Sequence, residues 1–314
     1  MSARSPQGDD RLDPNLDAIM SERRQLINLA YRLLGSLADA EDVVQETYVR
    51  WYAMTPAQQE AIVSPGGWLT KVASRICLDL LGSARARREK YVGEWIPEPL
   101  PDRMEWDSGR SQGTADPAER VTLDESINMA FLVVLESLSP AERVAFILHD
   151  VFRYPFTDIA DIVGRTPVAC RQLASTARRR IRGSQVPGRS SGRQAAVIRN
   201  FKQAWEAKDI AALIGLLDPG ALSAADSGGL VEAGSHSVRG PAQIARGLVA
   251  LVRRLPDLTI LERMVNGQPG LVVQQDGVTV TVVAFEVAAE RVTRIWAVRN
   301  PDKLQPWRAG PQED

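Results

Sequence analysis

Residues 139–182, SPAERVAFILHDVFRYPFTDIADIVGRTPVACRQLASTARRRIR, restrict what this chain can fold into more than any other stretch. Ser139 is a helix cap, Pro140 suits the first helical position, and Glu142 stands three residues after the cap. Val144, Ile147, Leu148 and Val151 then recur at helical spacing. A second short helix is predicted over Thr157 to Val163, with Ile159, Ala160 and Val163 inward and Gly164 as its stop. Thr166-Pro167 caps and opens a third helix carrying Arg171, Gln172, Ser175, Thr176, Arg178, Arg179, Arg180 and Arg182. So short a join between two capped helices is the helix-turn-helix geometry, which lets the last helix lie in a DNA major groove. The competing reading is a plain helical bundle with a solvated basic face.

The net charge of −1 argues against a uniformly basic nucleic-acid coat. The charge is sorted locally, however: the arginines from 171 to 182 share their stretch with no acid, which is what phosphate contact requires. With 44% hydrophobic and 25% charged residues in 314, the chain is expected to hold two or three globular domains. Cys77 and Cys170 lie in separate apolar-flanked segments and read as small buried hydrophobes, which favours a reducing cytoplasm. His149 and His236 are the only histidines, so no Cys/His metal cluster and no cofactor are expected. Met1 to Pro14 is polar, unlike a secretory leader, and the apolar run Met129 to Leu135 is too short for a membrane span.

Six segments follow from composition and periodicity: a polar tail over 1–14, a helical domain over 15–90, and a Pro-, Gly- and acid-rich connector over 91–120. The helix-turn-helix domain occupies 121–183, a second linker 184–194, and an α+β domain 195–314. In the last of these, helices are predicted over Gln194 to Ala207, Asp209 to Leu217 and Pro241 to Leu255. Strands follow over Leu258 to Val265, Leu271 to Gln275, Val278 to Val287 and Val292 to Arg299, expected to form an antiparallel sheet. Asn266-Gly267 and Asp276-Gly277 mark turns between them.

In the first domain, Gly35 ends one helix and Asp39 is expected to cap the next, DAEDVVQETYVRW. Ala40, Val44, Thr47, Tyr48 and Trp51 share one face of it, and Asp39, Asp42, Gln45 and Glu46 another, which could simply be solvated. After a Ser64-Pro65-Gly66-Gly67 loop, a helix is predicted over Trp68 to Ala84, with Leu69, Val72, Ala73, Ile76 and Leu80 as its apolar stripe. Trp68, Lys71 and Arg75 flank that stripe, and an aromatic beside cations suits single-stranded DNA; Trp68 as a core residue is the alternative.

DAEDVVQETYVRW (39–51), PGGWLTKVASRICLDLLGSARAR (65–87) and residues 139–182, in this order, resemble bacterial sigma factors of the extracytoplasmic-function group. Glu94-Trp95-Ile96-Pro97-Glu98-Pro99 and Asn300-Pro301-Asp302-Lys303-Leu304 resemble signatures of the subgroup of mycobacterial sigma-J type, which carries a SnoaL-like C-terminal domain. A third signature, an Asp followed by glycines, is only partly kept as Asp226-Ser227-Gly228-Gly229. The resemblance implies two all-α sigma domains followed by a cone-shaped α+β SnoaL-like domain. It also implies a transcription initiation factor, not an enzyme, with core RNA polymerase and promoter DNA as partners.

Residue by residue, Asp39, Asp42, Gln45 and Glu46 would meet the polymerase clamp. Trp68, Lys71 and Arg75 would serve minus-10 recognition, with the 53–66 loop holding an extruded base. Thr166, Arg171, Gln172, Ser175, Thr176, Arg178 and Arg179 would serve minus-35 recognition.

For the C-terminal domain three readings stand. Asp226 and His236 are the one plausible acid/base pair for an enzyme. Phe201, Trp205, Phe285 and Trp296 could line a pocket for a small ligand. The favoured reading is an intramolecular regulator: Trp95, Pro97 and Glu98 of the stiff connector dock on Asp226, Asn300, Pro301, Asp302 and Lys303. In it Glu94 and Glu98 are expected to meet Lys303 or Arg299, and a separate anti-sigma protein is dispensable. A stand-alone helix-turn-helix regulator with a ligand-sensing domain is the alternative function.

Overall fold

A computed structural model describes residues 14–88, 93–101, 128–183, 192–229, 237–255 and 257–308. Helix α1 (Pro14–Leu34) stops at Gly35, whose φ of +69° turns its N–H back to the Tyr31 carbonyl at 2.7 Å. Helix α2 (Leu37–Tyr52) is capped by Ser36 and not, as expected, by Asp39. Ser36 has the extended backbone that a cap needs, and its Oγ accepts from the Asp39 N–H at 3.3 Å; Asp39 lies inside the first turn, where its charge suits the helix dipole. The short α3 (Pro56–Glu60) is held by a Thr55–Gln58 capping box.

Helix α4 (Pro65–Arg88) begins three residues earlier than the periodicity indicates, because Ser64 caps it and Pro65 fits the first position. Its buried stripe is also rotated: Leu69, Ala73, Cys77 and Leu81 are fully inside, while Val72, Ile76 and Leu80 are half-buried. The reason is a neighbour on each side, α1 and α2 on one and the second bundle on the other.

That bundle comprises α5 (Met129–Glu136), α6 (Pro140–Phe146, prolonged by a π turn over Ile147–Val151), α7 (Phe156–Val163) and α8 (Pro167–Gly183). The Ser139–Glu142 capping box opens α6, and Gly164, at φ +69°, closes α7. The two bundles share one apolar core, in which Leu29, Leu33, Ala73 and Cys77 pack with Ile147, Leu148 and Ile159.

The C-terminal part holds α9 (Gly192–Glu206), α10 (Ile210–Leu216), α11 (Pro241–Arg254) and, among the described residues, a six-stranded sheet in the order β2-β1-β6-β5-β4-β3. Its strands are β1 (Leu217–Asp226), β2 (Val238–Arg239), β3 (Leu258–Val265), β4 (Gln268–Gln275), β5 (Val278–Ala288) and β6 (Arg291–Val298). Strands β3 to β6 form an antiparallel meander through the Asn266-Gly267 and Asp276-Gly277 turns, all four residues at positive φ. The sheet is mixed, not purely antiparallel: β1 runs parallel to β6, reached through α11 and the meander.

Both faces of the sheet are covered. On one, Phe201 of α9 packs edge-on with both Trp205 and Phe285 beneath α10 and α11. On the other, Val272, Val282, Ala284, Trp296 and Val298 meet Ile96, Met129, Ala130 and Leu304. Leu304 belongs to a closing 3₁₀ turn, Pro301–Trp307.

Gly35 is where the first bundle meets the connector: a Cβ there would lie 2.9 Å from the Trp95 ring and 3.4 Å from Pro97. Gly35→Ala is therefore expected to cost about 1–3 kcal/mol, from the left-handed backbone and the close approach together. Gly82→Ala, in open space on α4, should stabilise by about 0.5–1 kcal/mol. Denaturant titration of both variants checks the contrast.

Candidate nucleic-acid and polymerase interfaces

On α2 the burial of Ala40, Val43, Val44 and Thr47 turns Asp39, Asp42, Gln45 and Glu46 outward, and all four are exposed. Glu46 pairs one turn along with Arg50 at 2.8 Å, with both side chains about half in water. The result is an open acidic face laid along one helix.

The three residues expected to read single-stranded DNA are engaged inside the molecule. Trp68 is half-buried, its ring 5.3 Å from that of Trp51. Lys71 Nζ lies 2.8 Å from Asp161 Oδ2 on α7, and Arg75 Nη2 donates to the Asp161 carbonyl at 2.8 Å. The Lys71 ammonium holds the Asp161 carboxyl below the usual carboxylate range. Arg143 adds a deeper tie across the bundles, donating to the Leu33 carbonyl and to Glu136, each at 2.8 Å.

Helix α8 carries the minus-35 candidates with different fates. Thr166 is its cap, accepting from the Ala169 N–H at 3.2 Å. Gln172, Ser175 and Arg179 are exposed, and Thr176 is half-buried. Arg171 lies 5.4 Å over the Phe156 ring, and Arg178 bonds Asp150 at 2.6 Å. Arg180 reaches Glu142 and the Ser137 carbonyl, each at 3.1 Å.

A further constellation ties the connector to the C-terminal domain. Residues 94–100 form no helix or strand, yet Ile96 through Leu100 are buried. Asp226, wholly inside at the end of β1, receives Lys303 Nζ at 2.7 Å and the Ile96 N–H at 3.0 Å on Oδ2, and the Gly228 N–H at 3.1 Å on Oδ1. Lys303 also donates to the Ile96 carbonyl at 2.5 Å and sits 4.0 Å above the Trp95 ring. Asn300 caps the 3₁₀ turn, accepting from the Asp302 N–H, and Pro301 fills its first position. Pro97 packs at Gly35, Trp307 Nε1 donates to the Pro99 carbonyl at 2.7 Å, and Pro101 bridges to Val265. Asp302 takes part through its backbone alone, its side chain being exposed.

Two expectations are corrected here. Glu98 does not meet Lys303 or Arg299: its Oε2 accepts the Leu37 N–H at 2.7 Å, covering the first turn of α2, and Glu94 is exposed. A buried carboxylate near a helix start finds a backbone donor closer than any free cation. Nor do the four aromatics line one cavity, because Phe201, Trp205 and Phe285 fill one side of the sheet and Trp296 lies on the other. His236 lies outside the described residues. Among those described, no three His, Cys, Asp or Glu side chains gather as metal ligands, and no helix is long and apolar enough to cross a membrane.

Comparison with known proteins agrees with this layout. Residues 18–87 match the Sigma-70 region 2 family, and 128–181 match Sigma-70, region 4. The ECF RNA polymerase sigma factor SigJ of Mycobacterium tuberculosis is 36% identical over 294 residues, 90% of each chain. The chain belongs to the extracytoplasmic-function (ECF) sigma factors. The probable ECF sigma factor SigI of the same species is 35% identical over 302 residues, 95% of this chain and 97% of that one. The crystal structure of SigJ superposes with a TM-score of 0.71 at 32% identity, covering 93% of this chain and 98% of that one. As a sigma factor the protein directs transcription by RNA polymerase and is not an enzyme.

Several partners within this sigma factor have no local signal in its sequence. Asp161 and Asp150 read as ordinary polar positions of the helix-turn-helix. Asn266 reads only as a turn residue, yet its Oδ1 accepts the Leu100 N–H, its N–H meets the Leu100 carbonyl, and its Nδ2 bonds Tyr31 Oη at 2.9 Å. Tyr31 Oη in turn donates to the Glu98 carbonyl at 2.6 Å, and its burial pushes the phenol's pKa up.

Burial also pushes Glu98 up to about 7, against the opposing pull of the Leu37 N–H and the Lys303 charge. A folded-state value above that of the unfolded chain means that the native protein binds the extra proton. Stability is then fully supported below the ordinary glutamate range and declines as pH rises toward 7. Glu98→Gln should flatten this decline, visible as a smaller difference in melting temperature between pH 5 and pH 8 than the wild type shows.

Proposed function

We propose that this sigma factor binds core RNA polymerase through Asp39, Asp42, Gln45 and Glu46. Trp68, Lys71 and Arg75 serve the minus-10 element, and Thr166, Arg171, Gln172, Ser175, Thr176, Arg178 and Arg179 the minus-35 element. One contrast carries the reading: the acidic face of α2 is open to solvent while Lys71 and Arg75 are held by Asp161. The free factor is thereby ready for the polymerase and closed to melted DNA, and promoter opening requires α4 to leave α7. The C-terminal domain governs this in cis, since Asp226 and Lys303 fix the 95–98 segment, which joins α1 and α2 through Gly35 and Leu37. Trp95, Pro97, Glu98, Asn300, Pro301 and Asp302 complete that docking. An intramolecular hold of this kind replaces a separate anti-sigma protein. The cytoplasm, where polymerase and promoter meet, is its place of action, and the buried free Cys77 and Cys170 suit it.

Replacing Asp39, Asp42 and Glu46 together by lysine should reduce capture of core polymerase by about tenfold or more, since like charges would then face the clamp. Pull-down with purified core enzyme and run-off transcription measure it; undiminished capture would remove the polymerase-binding assignment. Closure is tested separately with Lys71→Cys/Asp161→Cys bridged by a short bis-maleimide. The bridged protein should still bind core enzyme but open no promoter, whereas the unbridged double variant, weakened by the loss of the Lys71 contact, still opens it measurably. Equal promoter opening by both forms would show that the bundles need not part.

A further inference from the structure

Helix α8 turns one edge wholly inward: Cys170, Ala174 and Ala177 have no exposed surface. At about 100° per residue, the direction opposite this edge is held by Val168, Gln172, Ser175 and Arg179, spaced by four, three and four positions. All four are exposed. The arginines to the side, Arg171 and Arg178, are occupied by the Phe156 ring and by Asp150. The outermost ridge of the recognition helix is therefore an apolar side chain followed by an amide, a hydroxyl and a guanidinium.

Val168 is the anomaly on that ridge. It is 60% exposed, in the second helical position after the Thr166 cap, and its neighbours outward are polar. A β-branched residue there is a poorer helix former than alanine and gains nothing from the core. What such a side chain fits is the apolar group on the floor of the major groove, the C5 methyl of thymine. The flanking arginines supply the charge that seats the helix against phosphates, and the first turn of a recognition helix is the part that reaches base edges.

We propose that Val168 is a specificity residue of the minus-35 contact, recognising the methyl group of one thymine. The inference rests on the assignment of α8 to minus-35 recognition and adds to it a residue and the base it reads. The experiment uses holoenzyme made from the full chain and core RNA polymerase, with a duplex library randomised over the minus-35 region. Sequences retained by the wild type are resynthesised with each thymine in turn replaced by uracil, which removes only the methyl.

One such replacement should weaken wild-type binding by about fourfold, the worth of one buried methyl-sized group. The Val168→Ala holoenzyme should bind the thymine and uracil duplexes alike. Wild-type indifference to every uracil, or a Val168→Ala variant as sensitive as the wild type, would overturn the proposal. Failure of the wild-type holoenzyme to select any minus-35 sequence would instead overturn the assignment of α8, and the proposal with it.

Discussion

Lys303 and Asp226 meet at 2.7 Å with almost no access to water, and the placement of the connector depends on that pair. Removing two such charges from solvent is unfavourable unless every remaining lone pair and proton finds a partner. Here the partners come from the connector: the Ile96 N–H for the carboxylate, and the Ile96 carbonyl and Trp95 ring for the ammonium. The pair therefore specifies the register of residues 95–97 as well as adding to their attachment. Sliding that segment by one residue would strand a charge and move Ile96 off the apolar sheet face it covers. From this anchor Glu98 reaches Leu37, and Tyr31 and Asn266 close a buried hydrogen-bonded chain between the first helix and the sheet.

Local features were legible in the amino-acid pattern, and long-range ones were not. Capping at Ser139, termination at Gly164 and the Asn-Gly and Asp-Gly turns each depend on a few adjacent residues, and each stands as read. Strand β1 escaped because Pro219, Gly220 and its alanines carry little strand signal, and its parallel pairing with β6 joins residues far apart in the chain. The misassigned cap at α2 has a narrower cause, two residues able to cap within three positions. The outward acids of that helix followed from periodicity alone. The partners of Lys71 and Glu98 did not, since matching charges by sign ignores which donors burial brings near.

The helix-turn-helix presents its cations to its own acids. Asp150 and Glu142 hold Arg178 and Arg180, and the solvent-facing members of these pairs are weakly bound, in the way of surface ion pairs in general. Phosphates can displace such acids at little cost, with counterion release adding to the exchange. Salt should then act on two steps with opposite sense, loosening the internal pairs while weakening the DNA contacts that succeed them. A chain of net charge −1 can in this way carry a strongly basic helix without binding nucleic acid indiscriminately.

A sheet clothed on both sides has a bearing on how the gene can be divided. Severing the last third from the rest would bare Trp296, Val272, Val282 and Val298 to water, a flat oily patch of the sort that drives self-association. The appended piece is thus no detachable module. Its sheet face is matched to Ile96, Met129 and Ala130, so a change on either side of the junction constrains the other.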